Sequence, residues 1–114
     1  MQYLVLRGNT NNDILNDDYE LNIMRTIFKQ KLDVCDQQTI ELPQGFRILH
    51  LGIQRGEPCI WYECDTDNPL RRLDIYCFGT GYRMDDLPPM EYIGTVQADG
   101  CVWHYYSRAG GFID

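Results

Sequence analysis

Apolar and polar residues alternate along most of the chain between residues 39 and 106, and this pattern predicts short β-strands. Gly, Pro and Asp interrupt the stretch at short intervals, so no gap is long enough for a substantial helix. We therefore expect an all-β, mainly antiparallel fold. The architecture that fits is a small β-sandwich or barrel of about six to seven strands, with at most one short helix.

The first of two predicted hairpins turns at Arg55-Gly56, where Gly supplies the positive φ of a tight turn. A turn of two or four residues gives one register across the hairpin, with these pairs: Ile53 with Pro58, Leu51 with Ile60, and His50 with Trp61. The core face that follows from this register consists of Leu49, Leu51, Ile53, Ile60 and Tyr62.

The second predicted hairpin joins residues 92–97 to residues 101–106. Its loop, Ala98-Asp99-Gly100, has the length of a type I turn closed by a Gly bulge. Between the hairpins, residues 72–78 are a predicted strand that turns Leu73, Ile75 and Cys77 to one face.

The two ends of the chain differ from its middle. Residues 24–34 fit both a helical and a strand period, and we favour a strand because every other clear element is β. Residues 1–23 are predicted to be an N-terminal extension with a short strand and a polar loop. Residues 24–114 then form a single β-rich domain, in which residues 107–114 are expected to be a frayed tail.

Charge and cysteine content narrow the function classes. The net charge of −7 argues against binding to nucleic-acid phosphates or to an anionic membrane, since both need clustered Lys and Arg. No apolar run reaches the roughly 18 residues that a membrane span requires. The number of Cys is odd, at five, and no two are spaced as C-x-x-C. Both observations favour a protein of the reducing cytosol, in which the Cys serve as small buried hydrophobic residues.

No catalytic, metal or cofactor signature is present. His50 and His104 could meet Cys59, Cys64 or Cys101 at a zinc ion, but the spacing does not support such a site. The glycines of Gly79-Thr80-Gly81 could cradle a phosphate, yet a turn is favoured because acidic residues follow instead of a helix. We therefore predict that the protein is not an enzyme and holds no metal or cofactor.

Aromatic residues are the best functional lead, since ten of the 14 lie from Trp61 onward. Alternation prevents Tyr105 and Tyr106 from both pointing inward, and an exposed Tyr is a good anchor for a protein partner. The predicted partner surface consists of Tyr82, Asp85, Asp86, Tyr105 and Tyr106. An alternative site would stack a nucleotide base on Trp or Tyr and bind its phosphate with Arg: Trp61, Arg71, Arg72, Arg83 and Trp103.

Several short phrases follow one another in a fixed order: Thr39-Ile40-Glu41-Leu42-Pro43 with Gly45; Ile48-Leu49; Gln54-x-Gly56-x-Pro58-Cys59-Ile60-Trp61; Gly79-Thr80-Gly81; Tyr92-Ile93-Gly94-Thr95-Val96-Gln97; and Val102-Trp103-His104. Over residues 24–106 they resemble a family of small proteins of tailed bacteriophages and prophages. The resemblance implies a β-rich fold and a phage setting, with no activity to transfer. Relatives often carry His at the position of Tyr82, so a ligand role for that His does not apply here.

Together these patterns predict a phage-encoded binding protein, without enzymatic activity, that acts in the host cytoplasm. We expect it to inhibit a host antiviral defence protein by direct contact, with no nucleic-acid or membrane partner. One alternative is a homo-oligomeric sponge that sequesters a small nucleotide signal. The other is an accessory protein of virion assembly.

Overall fold

The computed structural model describes residues 24–112. The predictions made for residues 1–23 lie outside this part of the chain. The described residues form seven β-strands and contain no helix, which confirms the all-β prediction. The strands are β1 Arg25–Lys31, β2 Gln37–Pro43, β3 Arg47–Gln54, β4 Glu57–Asp65, β5 Leu70–Gly79, β6 Glu91–Ala98 and β7 Cys101–Phe112.

The strands build two antiparallel sheets that pack together as a small β-sandwich. One sheet has the order β1-β4-β3 and the other has the order β2-β5-β7-β6. The sheets approach most closely where β3 lies beside β6. The edge strands far from this contact are β1 in the first sheet and β2 in the second. Apolar residues from both sheets form one buried core: Leu32, Ile40, Leu42, Leu51, Ile60, Tyr62, Cys64, Leu73, Ile75, Cys77, Val96 and Tyr105.

Gly94 on β6 is what allows β3 to come so close. A Cβ at this position would lie 3.1 Å from Cδ2 of Leu51 and 3.3 Å from its Cβ. This contact is tighter than most that real Cβ atoms make, so an added methyl group would force Leu51 or β6 to shift by a few tenths of an ångström. The lack of a side chain at Gly94 therefore favours the close approach of the two sheets.

The first hairpin has the predicted register, and all three predicted pairs are confirmed. Arg55 and Gly56 form its two-residue loop with φ of 54° and 80°, the signature of a type I′ turn. The predicted core face is wrong at Leu49 and at Ile53. At Leu49 the reason is a bulge between Ile48 and His50, which pairs Ile48 with Tyr62 instead. Ile48 then packs against the core, while Leu49 and Ile53 are each 40% exposed.

The second hairpin turns more tightly than predicted. Ala98 pairs with Cys101, so the loop contains two residues and not three. Asp99 and Gly100 have φ of 54° and 78°, again as in a type I′ turn, whose twist matches that of the flanking strands. The predicted type I turn with a Gly bulge is therefore wrong at this loop.

The frayed tail predicted for residues 107–114 is wrong through residue 112, because β7 continues to Phe112. Ser107 is paired on both sides, with Ile75 of β5 and with Glu91 of β6. The Arg71 guanidinium also donates a 2.8 Å hydrogen bond to the carbonyl of Gly110. Pairing with β5 therefore continues from Ser107 to Phe112, through a segment whose glycines suggest disorder.

Two further predictions concern β1 and the cysteines. The strand favoured for residues 24–34 is confirmed as β1, although it ends at Lys31. All five cysteines are free thiols, of which Cys59, Cys64 and Cys77 are buried as predicted, whereas Cys35 and Cys101 are exposed. No helix within residues 24–112 is long and apolar enough to cross a membrane.

Candidate functional site: the aromatic face

The outward side of the four-stranded sheet carries two cross-strand rows rich in aromatic rings. Because Ile75, Cys77 and Tyr105 point into the core, their neighbours on β5 and β7 point outward. The pairs across the sheet place Tyr76 beside Tyr106 and Tyr92 in one row, and Phe78 beside His104 and Thr95 in the next. We call the resulting surface the aromatic face: Tyr76, Phe78, Tyr92, His104 and Tyr106.

Tyr106 is the centre of the aromatic face. Its ring centroid lies 5.4 Å from that of Tyr92 and 5.7 Å from that of Phe78. Both contacts are edge-to-face, with interplanar angles of 62° and 75°, an arrangement that aromatic quadrupoles favour. The outermost ring, Tyr92, is 58% exposed, so a continuous run of rings across three strands ends in solvent.

A chain of hydrogen bonds joins Tyr92 and His104 of this face to two threonines. The Tyr92 hydroxyl bonds the Thr95 hydroxyl, and Oγ1 of Thr95 lies 2.9 Å from Nδ1 of His104. On the other side of the imidazole ring, Nε2 lies 2.8 Å from Oγ1 of Thr80. Both ring nitrogens of His104 are therefore satisfied by hydroxyl groups, which fixes the orientation of the ring. Thr80 belongs to the loop after β5, so the chain fastens that loop to the aromatic face.

The loop between β5 and β6 carries the acidic part of the predicted partner surface. Tyr82 is 52% exposed and packs edge-to-face on Trp103 at 6.3 Å. A Cβ on Gly79 would lie 2.9 Å from the Tyr82 ring, so Gly79 makes room for it. Asp85 forms an ion pair with Arg83, and Asp86 is exposed with a φ of 61°.

The structure contradicts the predicted partner surface at one position, Tyr105. Tyr105 is fully buried, and its hydroxyl donates a 3.0 Å hydrogen bond to the carbonyl of Asp33, so its assignment to a surface is wrong. Burial raises the pKa of the Tyr105 hydroxyl above its usual range. Tyr82, Asp85 and Asp86 are exposed, and Tyr106 faces outward.

Of the five members of this face, sequence reasoning identified only Tyr106 and missed Tyr76, Phe78, Tyr92 and His104. The reason for Tyr92 is a bulge between Tyr92 and Gly94, which shifts the register of β6 by one residue. Without the bulge, Tyr92 would lie opposite Ser107 and point toward the core. A bulge of this kind leaves no reliable signal in composition.

The residues predicted for the alternative nucleotide site do not converge. Trp61 lies on the other sheet, where its ring is 5.8 Å from that of His50. Trp103 packs against the core, Arg71 bonds Gly110, and Arg83 is held by Asp85. His50 and His104 also lie on different sheets, and no group of three or more His, Cys, Asp or Glu within residues 24–112 is placed to hold a metal ion.

The outward side of the three-stranded sheet carries ion pairs, whereas the aromatic face contains no Asp, Glu, Lys or Arg. Glu63 accepts hydrogen bonds from Arg47 at 2.9 Å and from Arg25 at 3.3 Å. The hydrogen bond from Arg47, followed by that from Arg25, lowers the pKa of the Glu63 carboxyl. The two outer faces of the sandwich therefore have different chemistry, and the aromatic one is suited to contact with another surface.

Comparison with known proteins identifies the family of this chain. Residues 24–111 match DUF7352, a domain of unknown function. The chain belongs to the DUF7352 family. No curated protein and no solved structure matches the chain. The matched range of this DUF7352 member contains every residue of the aromatic face and the whole loop between β5 and β6.

Proposed function

We propose that the protein is a binding protein without enzymatic activity, and that it recognises a basic protein partner through the aromatic face. The observation that carries this proposal is the continuous run of Tyr92, Tyr106 and Phe78 rings on the solvent side of three adjacent strands. Such a run is rigid before binding, because each ring packs against the next. A rigid aromatic surface loses little conformational entropy on association.

The tyrosine rings suit a protein partner in two ways. Tyr offers a large apolar surface and a hydroxyl that can bond a partner, and it is enriched among the residues that dominate binding energy. The ring faces also attract the cationic groups of Arg and Lys. Tyr92, which is 58% exposed, is the ring of the aromatic face most accessible to such groups.

Charge supports a basic partner over an acidic one. The chain has a net charge of −7, and the exposed carboxylates Asp85, Asp86 and Glu91 lie on or next to the loop that Thr80 fastens to the aromatic face. Opposite charges raise the rate of association and disfavour partners of the wrong sign. The acidic loop and the rings therefore act on the same class of partner.

The biological setting of this proposal comes from the phage resemblance of the sequence. In that setting the protein acts in the cytoplasm of the host and inhibits an antiviral defence protein by occupying its basic surface. Expression in strains that carry single defence systems tests this role. We expect phage plating to be restored in one such strain by the wild-type protein and not by a Tyr92→Ser, Tyr106→Ser variant.

Site-specific crosslinking tests the binding face directly. A photoreactive phenylalanine is placed at Tyr76 on the aromatic face, and in a separate protein at Lys29 on the outward side of the other sheet. We expect irradiation in cells to join the first variant, and not the second, to one protein with a basic surface.

Equal crosslinking from both positions would contradict the assignment of the face. The purified protein is also tested for a bound small molecule by its absorbance near 260 nm. A stoichiometric absorbing ligand that leaves with denaturation would favour sequestration of a nucleotide and contradict the protein-binding proposal.

A further inference from the structure

A cleft of about 640 Å³ opens beside the start of β6, next to the aromatic face. Tyr92 belongs to the aromatic face and also lines the cleft, so a partner that covers its ring reaches the entrance of the cleft. The inner wall is apolar and is contributed by both sheets and by the residue before β3: Phe46, Ile48, Leu73 and Ile93. All of them except Leu73 remain partly exposed although they pack against the core. The cleft therefore ends on apolar surface that a partner can cover.

Two polar side chains on neighbouring strands also line the cleft. Glu91 and Ser107 are paired directly between β6 and β7, so their side chains lie on the same face of the sheet with Cβ atoms about 5 Å apart. This is the inward face, because Ser107 also pairs with the buried Ile75. Tyr92 and Arg108 each follow by one position along their strands and therefore lie on the outward face.

Neither of the two inward polar groups has a partner in the described part of the chain. Ser107 is 7% exposed, and no hydrogen bond from residues 24–112 reaches its hydroxyl. The exposed Glu91 carboxylate likewise forms no ion pair or hydrogen bond with a described residue. Leaving a buried hydroxyl unpaired is costly, so native proteins pair such groups with water or with a bound molecule. A hydroxyl and a carboxylate side by side both accept hydrogen bonds, which suits a cationic donor.

Two arginines also line the cleft, but their side chains belong to outward faces. Arg47 donates a 2.9 Å hydrogen bond to Glu63 on the outward side of the three-stranded sheet. Arg108 lies opposite Asp74 on the outward side of the four-stranded sheet. Each arginine therefore has a carboxylate on its own side, and the carboxylate of Glu91 remains for a ligand.

We infer that the cleft takes one lysine side chain of the protein partner. The aliphatic stem of the lysine lies against Ile48 and Ile93, and its ammonium group donates hydrogen bonds to the Ser107 hydroxyl and the Glu91 carboxylate. A compact ammonium group fits between two separate acceptors, whereas a guanidinium needs the planar fork of one carboxylate or phosphate. The inference rests on the proposed function, because it assigns an anchoring residue to the basic partner that contacts the aromatic face.

Two blocked tripeptides with side chains of similar length test the cleft in the absence of the partner. The full-length protein is titrated with acetyl-Ala-Lys-Ala-amide and with acetyl-Ala-norleucine-Ala-amide, and its backbone amide resonances are followed by NMR. We expect saturable shifts at Ile48, Ile93 and Ser107 with the lysine peptide, at a dissociation constant in the millimolar range. The norleucine peptide, which lacks the ammonium group, should bind about fivefold more weakly or worse.

Two variants link the binding of the lysine peptide to the named groups, and a third controls for charge. Ser107→Ala should weaken binding by about fivefold, while the urea midpoint of the free protein stays the same, because the hydroxyl has no hydrogen bond to lose. Glu91→Gln should weaken binding by about threefold. Glu41→Gln removes the same charge from the exposed, outward side of β2 and should leave the affinity unchanged.

The cleft and the aromatic face give separate results. Crosslinking of the partner from Tyr76, without saturable shifts at the cleft with the lysine peptide, would overturn the inference and leave the proposed function standing. Equal affinity for the two peptides, or a Ser107→Ala variant that loses stability and keeps its affinity, would also overturn it. Loss of crosslinking from Tyr76 would instead contradict the proposed function, and with it the partner to which the lysine is assigned.

Discussion

Two adjacent tyrosines on β7 have opposite roles, and the pleat of a single strand separates them. Tyr105 is buried in the core with its hydroxyl bonded to the Asp33 carbonyl, whereas Tyr106 joins the rings of the aromatic face. The same residue type therefore contributes to stability in one position and to a surface in the next. Substitution at each position should separate folding from binding.

We expect Tyr105→Ala to lower the free energy of unfolding by about 3 to 5 kcal/mol, because it removes a buried aromatic ring. Tyr106→Ala should cost only about 1 kcal/mol, the value of its aromatic contacts, while it removes partner binding. Urea denaturation measures both. Tyr105→Phe is the matched control, since it keeps the ring and loses one hydrogen bond, with an expected cost of about 1 kcal/mol. Similar stabilities for the two Ala variants would contradict the assignment of the faces.

The Glu63 carboxyl makes stability depend on pH in the acid range. Its pKa is lowered in the folded protein by Arg47 and then Arg25, so the charged form stabilises the fold. That contribution is complete above the unfolded value of about 4.3 and is lost as the pH falls through the lowered pKa of the folded state.

We therefore expect Glu63→Gln to lower the Tm at pH 7, and the difference from wild type to disappear as the solution becomes more acidic than the lowered pKa. Thermal denaturation at a series of pH values measures the difference. Glu91→Gln is the control, because Glu91 forms no ion pair with a described residue. A difference that stays constant with pH would exclude Glu63 as the source.

At the scale of elements, the contact between β3 and β6 joins the two sheets. It depends on Leu51 lying over Gly94, where a side chain on β6 would collide with it. A tight contact of this kind cannot adapt to added atoms without moving a strand or a side chain. An added side chain at this junction should therefore destabilise the sandwich.

We expect Gly94→Ala to destabilise the protein by about 1 to 3 kcal/mol through overpacking against Leu51. The double variant Gly94→Ala, Leu51→Ala should lose less than the sum of the two single variants, because the smaller residue 51 relieves the collision. Urea denaturation of the four proteins gives the coupling. Additive losses would mean that the two residues do not restrain each other.

The strands themselves could be predicted from the sequence, and the register of the first hairpin followed from Arg55-Gly56 and the alternation on both sides of it. The bulges next to Leu49 and Tyr92 could not be predicted, because an inserted residue leaves the composition of a strand unchanged. The sequence therefore predicts only part of the aromatic face. It assigns Tyr106 to the partner surface together with the buried Tyr105, and it leaves out Tyr92.

At the scale of the whole molecule, the sandwich presents two faces of different chemistry and a net charge of −7. One outward side carries the aromatic face, and the other carries Arg25, Glu63 and Arg47 in one ion-pair network together with the rings of Trp61 and His50. The overall negative charge attracts basic partners in general. Contact with the aromatic face then decides which of them binds. Long-range attraction and short-range packing should therefore respond differently to salt.

Once the partner is identified, we expect its association rate to fall as salt is raised, and its dissociation rate to change little. Asp85→Asn with Asp86→Asn should flatten the salt dependence of the association rate, whereas Tyr106→Ser should raise the dissociation rate. Surface plasmon resonance at several salt concentrations separates the two rates. A partner whose association is insensitive to salt would contradict a basic contact surface.

The positions of the cysteines allow the opening of the sandwich to be measured by thiol labelling. Cys35 and Cys101 are exposed, while Cys59, Cys64 and Cys77 lie in the core region of both sheets without any disulfide. A thiol reagent will therefore modify two positions at once and reach the other three only when the sandwich opens. The labelling times of Cys64 and Cys77, resolved by mass spectrometry, measure whether the two sheets open together or one at a time.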